Sequence, residues 1–231
     1  MAVDASHLAA PPTGDSRLAR ATEQPTHGFE EWADQTLLPP RVQVEGTLRR
    51  LYETALVLFG QRGFHAVSVR DLTRELGLQA SSLYAHVPSK QDLLADLIRV
   101  GHEEHRDALR LSLLEASAEP ADQIAVLTRA HVRLHATYPL LTKLCNRELS
   151  ALPESRRDEI IAIRTDAVRL FYDVIDRGQR LGVFVPVDPM LTAAAIGAMG
   201  IRVAEWWHPR LDVDIETVAE TYATFAVRMV S

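Results

Sequence analysis

The sequence predicts an all-α protein: a short N-terminal three-helix unit followed by a larger helical bundle, about nine helices in total. Apolar residues recur at i, i+3, i+4 and i+7 in one segment after another, and glycines and prolines punctuate those segments. No alternating strand pattern of any length occurs in the 231 residues.

The first periodic run carries Leu48, Leu51, Tyr52, Ala55 and Phe59 and is stopped by Gly60 and Gly63. Ser68 is placed to cap a second helix with Val69, Leu72 and Leu76 on one stripe, and Gly77 supplies the left-handed turn that ends it. A third helix has room for about Gln79 to Val87, because Pro88 disfavours helical geometry at the residue before it. Two short helices meeting at a glycine turn are the mark of a helix-turn-helix, whose second helix enters the major groove of DNA.

Ser89 and Asp92 form a capping-box pattern that opens a long helix through about Glu115, with Leu94, Leu97, Ile98, Gly101, His105 and Ala108 on one stripe. Pro120 opens the next, striped by Ile124, Leu127, His131, Leu134 and Tyr138. Pro139 then introduces a helix over about 140–151. Beyond Pro153 a run to Leu181 carries two seams at sevens: Ile160, Ala167, Val174 and Ile161, Val168, Ile175. A helix apolar on more than one face is expected to lie centrally. After "GVFVPVDP" come helices over about 189–207 and 214–230. The expected domains are a disordered arm over 1–43, a helix-turn-helix unit over 44–89 and a ligand-binding and dimerisation unit over 90–231. In the arm, two Pro-Pro pairs interrupt a stretch poor in large apolar side chains, and Trp32 with Leu37 and Leu38 offers a local apolar contact.

Composition narrows the function. No stretch approaches the roughly 18 apolar residues a spanning helix needs, and the start lacks a basic region followed by an apolar one, so a cytoplasmic protein without membrane association is expected. Cys145 is the single cysteine, which excludes an intrachain disulfide and a cysteine-rich zinc site. The net charge of −6 argues against nucleic-acid binding by the whole surface, yet residues 41–99 alone sum to +2.

The stretch "FGQRGFHAVSVRDLTRELGLQASSLYAHVPSKQDLL", and above all Leu83-Tyr84-x-His86-Val87 followed by Ser89-Lys90, closely resembles the DNA-binding domain of the TetR (tetracycline repressor) family of bacterial regulators. The likeness covers about residues 45–98; the rest matches only in helix number and length. The position before Ser82, often Gly or Pro in that family, is Ser81, which leaves the operator sequence open. The resemblance implies DNA contacts from Arg70, Ala80, Ser82, Tyr84, His86 and Lys90. Gln79, on the same outer face, and Ser68, at the start of the second helix, join them as candidates. Short polar side chains near a helix start can approach base edges, whereas a phenol and an imidazole suit phosphate oxygens.

One such unit offers few contacts, so a homodimer on a partly palindromic double-stranded operator is expected. Candidate dimer residues are Ala194, Gly197, Ala198 and Ile201 on the eighth helix and Val218, Tyr222, Phe225 and Met229 on the ninth. Each glycine inside the eighth costs roughly 1 kcal/mol of helix propensity, and small residues permit close helix approach. The resemblance further implies a small-molecule effector in the larger unit. Candidates for its pocket are His105, His131, His135, Tyr138, Cys145, Asn146, Arg164 and Trp206, because imidazoles on apolar stripes need partners. "AEWWHP" loosely resembles the Trp-aromatic-x-Pro ending of regulators of lipid and sterol-CoA breakdown, which points to a hydrophobic or acyl-CoA-like effector.

Rival chemistry finds less support. His102 to His105, "HEEH", lacks the HExxH spacing, and neither a Gly-rich phosphate loop nor a G-x-S-x-G elbow is present. His131 and His135, at i and i+4, could chelate a metal in a metal-responsive regulator or a helical metal-dependent enzyme, but spacing assigns no third ligand. No metal site, cofactor or catalytic residue is therefore assigned. The expected function is a regulator, a repressor released from DNA by a small effector.

Overall fold

The computed structural model describes residues 36–231, and among them it contains nine α-helices, one 3-10 turn and no strand. In chain order these are α1 (Gly46–Arg62), α2 (Val69–Leu76), α3 (Ala80–Tyr84), α4 (Lys90–Leu114), α5 (Pro120–Thr137), α6 (Pro139–Arg147), α7 (Glu154–Arg180), α8 (Pro189–Trp206) and α9 (Ile215–Arg228), with the 3-10 turn Leu149–Ala151 after α6.

Local chemistry sets the bounds. Ser68 and Asp71 make a reciprocal capping box: the Asp71 N–H donates to Ser68 Oγ at 3.1 Å and the Ser68 N–H to Asp71 Oδ2 at 2.9 Å. Gly77 ends α2 in the left-handed region, φ 66° and ψ 31°, and the Leu78 N–H closes back on the Thr73 carbonyl at 2.8 Å. Asp188 and Asp214 cap α8 and α9 with side-chain acceptors, and α5, α6 and α8 begin at proline, which has no N–H to leave unpaired.

Two expectations are corrected here. α3 has only five residues, not the nine of 79–87, because Val87 leaves the helix to enter the core at 4% exposure ahead of Pro88. The arm is not disordered up to residue 43. Leu38 and Val42 are buried in the first core, and Arg41 reaches across to α4, its guanidinium 2.6 Å from Glu104 and 2.8 Å from Asp107. Trp32 lies outside the described residues.

The first core gathers α1, α2 and α3 with the start of α4 and one face of α6, through Leu56, Phe59, Leu72, Leu83, Leu97 and Leu144. The second lies among α4, α5, α7, α8 and α9, around Leu109, Ile124, Leu127, Phe171 and Ile196. Thus α4 spans both. α9 packs chiefly along α5, where Val132, Val203, Val218 and Ala219 form a third cluster, and the ion pairs Arg129–Glu220 (3.1 Å) and Arg133–Glu216 bridge the two helices. The two seams of α7 are buried unequally. Ile160, Ala167 and Val174 are buried, whereas on the second seam Ile175 is fully buried, Val168 partly so and Ile161 42% exposed.

Candidate nucleic-acid interface and effector cavity

The glycine turn sets α3 on the surface of the first core. Leu83 turns inward at 1% exposure, which leaves Tyr84, the next residue and about 100° further round the helix, 55% exposed. Ser68, Arg70, Gln79 and His86 are also exposed and Ser82 is partly so; the side chains of Ala80 and Ser81 lie outside the described residues. Arg70 has no ion-pair partner among the described residues, in contrast to Arg74, which is held 2.5 Å from Asp71. Asp71 itself is pulled down to a pKa of about 2, first by the Ser68 hydroxyl that donates to it.

Lys90 is placed differently from the rest. Its ammonium donates to the carbonyls of Phe64 (2.9 Å) and Val67 (2.6 Å) and sits 4.0 Å from the centroid of the Phe64 ring. It ties the first turn of α4 to the loop between α1 and α2. Partial burial lowers its pKa.

The larger unit holds a cavity of about 360 Å³, partly open to solvent, between α4, α5, α6, α7 and α8. Six of the eight candidate pocket residues line it: His105, His131, His135, Cys145, Asn146 and Arg164. Tyr138 and Trp206 do not. Tyr138 lies against the first core, and Trp206 against the cluster around Val132. Ala194, Gly197, Ala198 and Ile201, expected at a dimer face, border the cavity, and Val218, also expected there, is buried within the chain at 5% exposure. Tyr222 is partly buried, while Phe225 and Met229 are exposed at 44% and 37%. Residues that sequence reasoning missed include His102, Phe171 and Met190. Only His102 carried a sequence signal, lying one turn before His105.

Three imidazoles meet at one wall. His105 Nε2 lies 2.7 Å from His131 Nδ1, the other nitrogen of His131 is 3.0 Å from the Gly197 carbonyl, and His135 Nδ1 is 2.9 Å from Thr142 Oγ1. His105 is the third partner that the His131/His135 spacing could not supply, since it arrives from another helix. Ligating atoms of the three lie within 4.8 Å of one another. His135 Nε2 and His102 Nε2 are buried without a hydrogen-bond partner. Burial pushes His102 and His131 down to pKa values of about 4, and His105 and His135 well below the usual range, so all four are neutral at pH 7. Burial also raises the Cys145 thiol to about 12. Arg164, on α7, is the one lysine or arginine lining the cavity and has no ion-pair partner among the described residues.

An outward-facing helix-turn-helix carried on a helical body with a cavity is the build of a one-component DNA-binding regulator. Residues 51–97 match the family model described as bacterial regulatory proteins, tetR family, and residues 117–230 the model described as tetracyclin repressor-like, C-terminal domain. The chain belongs to the TetR family. A similar relative is the HTH-type transcriptional repressor KstR2 of Mycobacterium tuberculosis (strain ATCC 25618 / H37Rv), 25% identical over 182 residues that cover 78% of this chain and 90% of the relative. Among solved structures, a tetR-family regulatory protein from Rhodococcus RHA1 superposes with a TM-score of 0.75 at 26% identity, covering 81% of this chain and 98% of that one. AibR, solved in complex with isovaleryl coenzyme A and operator DNA, shares the fold with a TM-score of 0.69 at 21% identity, covering 77% of this chain and 96% of that one. No helix among the described residues is long and apolar enough to cross a membrane.

Proposed function

We propose that the chain is a homodimeric, cytoplasmic transcriptional repressor that leaves a partly palindromic operator when a small molecule fills the cavity between α4 and α8. The observation that carries this reading is the double use of α4 and α6. Leu97 and Leu144 belong to the core under the reading helix, while His105 on α4 and Cys145 on α6 border the cavity. A ligand that shifts either helix moves the platform of α3, and it changes DNA affinity to the extent that it binds one arrangement better than the other. The word repressor follows KstR2. An effector with an apolar body and an anionic head, of the acyl-CoA class bound by AibR, suits an apolar cavity with one unpaired guanidinium.

Arg70, Tyr84, His86, Gln79, Ser82, Ala80 and Ser68 are the proposed DNA face, within a unit spanning 44–89 that stands on an effector and dimer unit spanning 90–231. The dimer face is assigned to the outer sides of α8 and α9, where Leu191 on α8 is 69% exposed and Phe225 on α9 and Met229 just after it are 44% and 37% exposed.

The test is titration of the purified protein on DNA from around its own gene, repeated with Arg70→Ala and Tyr84→Ala. Loss of a base-reading arginine is expected to cost ~1–3 kcal/mol, about tenfold or more in affinity, and wild-type binding should weaken steeply with salt. Absent binding, or undiminished binding by both variants, overturns the reading.

A further inference from the structure

We propose that His105, His131 and His135 form a three-histidine site for a divalent transition-metal ion, zinc foremost, whose open coordination position faces the cavity. Two of the three nitrogens left for a metal are already set by partners outside the cluster. His131 donates Nε2–H to the Gly197 carbonyl and therefore turns Nδ1 toward His105; His135 pairs Nδ1 with the Thr142 hydroxyl, which leaves its Nε2 buried and without a partner. Such outer hydrogen bonds fix the tautomer and ring plane of metal-bound histidines. A histidine at 5% exposure with an orphan nitrogen is costly in a purely structural core, and a metal ion would satisfy it.

Geometry and charge agree. His131 and His135 stand one turn apart on α5, and His105 faces them from α4 with ring centroids 4.9 and 5.1 Å away. Tetrahedral zinc with bonds of about 2.0–2.1 Å holds its ligand nitrogens roughly 3.3 Å apart, so nitrogens now within 4.8 Å reach that spacing by side-chain rotation. The hydrogen bond between His105 and His131 gives way as His105 shifts its proton to Nδ1. All three imidazoles are neutral, the form that ligates. Three imidazoles suit zinc, copper or nickel better than magnesium or calcium.

The site also narrows the effector, a step that rests on the cavity being the effector site. No carboxylate lines the cavity to balance the ion, and Arg164 adds a further positive charge. The fourth ligand should then be anionic, a carboxylate or thiolate head group on an apolar molecule, with the orphaned His102 Nε2 as a further donor or acceptor beside it.

The experiment uses the full chain, stripped with chelator and titrated with cobalt(II) as a spectroscopic probe, then with zinc(II) in competition. Expected are saturable visible d–d bands of tetrahedral intensity at about one ion per chain, bleached by zinc. His105→Gln and His135→Gln should weaken binding more than about tenfold, while His86→Gln, on the exposed helix-turn-helix, should leave it unchanged. Circular dichroism confirms that each variant is folded. The wild-type spectrum alone decides the matter if a variant fails to fold: octahedral, weak or unsaturable absorption overturns the site, as does unaltered binding by folded His105→Gln. The operator titration separates this from the regulator reading, since metal binding can fail while DNA binding persists, and the reverse.

Discussion

Gly200 on α8 is the notch into which His131 of α5 fits: a Cβ built at position 200 would stand 1.9 Å from the imidazole Cδ2. Gly197, one turn earlier, has nothing within 4 Å of its Cβ direction and opens onto the cavity instead. The two glycines therefore predict opposite outcomes. Gly200→Ala gains roughly 1 kcal/mol of helix propensity but meets an overpacking cost of about 1–3 kcal/mol, so net destabilisation is expected. Gly197→Ala keeps the propensity gain without the clash and is expected to be neutral or more stable, with a narrower cavity. Urea unfolding of the pair checks this; equal stability of the two variants would sink it.

Lys90 separates a structural lysine from a phosphate contact. Lys90→Met keeps the aliphatic stem but removes the ammonium from the Phe64 and Val67 carbonyls and from the Phe64 ring. Because the side chain is only partly buried, the expected loss is at the low end for charge-assisted hydrogen bonds, about 1 kcal/mol of unfolding free energy. Were Lys90 also to reach phosphate in the complex, the salt slope of operator binding would fall by about one in addition. Denaturation and a salt titration, run on the same variant, distinguish the two.

The fold was legible wherever punctuation and period coincide. Ser68 with Gly77 bound α2, and Asp188 and Asp214 open α8 and α9, because caps and left-handed turns act through neighbours in sequence. The length of α3 was not, since the burial of Val87 decides it and that burial is tertiary. The cavity shared this division. His131 and His135 are visible at i and i+4, but His105 joins them across helices, and sequence period is blind to that. The small residues of α8 carried two physical meanings, close approach and empty space, and both occur: Gly200 meets His131 while Gly197 and Ala198 border the cavity. Lys90 was only half legible, because a lysine beside a reading helix looks the same in sequence whether its donors face phosphate or carbonyl.

Tyr52 offers a way to loosen the reading unit from the body without touching either site. Its hydroxyl donates to Asp96 Oδ2 of α4 at 2.9 Å, and Asp96 in turn holds Arg99 at 3.0 Å, so α1 is pinned to the helix that continues into the cavity. Burial, followed by the Asp96 charge, raises the phenol pKa, and a neutral donor is retained across the physiological range. Tyr52→Phe keeps the ring in the core and removes only that donor. Asp96 retains Arg99, so the cost is that of one partly exposed hydrogen bond to a charged group, about 1 kcal/mol. Since stability falls little while α1 gains freedom against α4, operator affinity is expected to weaken several-fold without any lost DNA contact. The salt slope then stays at the wild-type value, because no phosphate contact has been removed. A lowered slope, or affinity unchanged alongside the predicted loss of stability, would mean that α1 and α4 are not coupled through this bond.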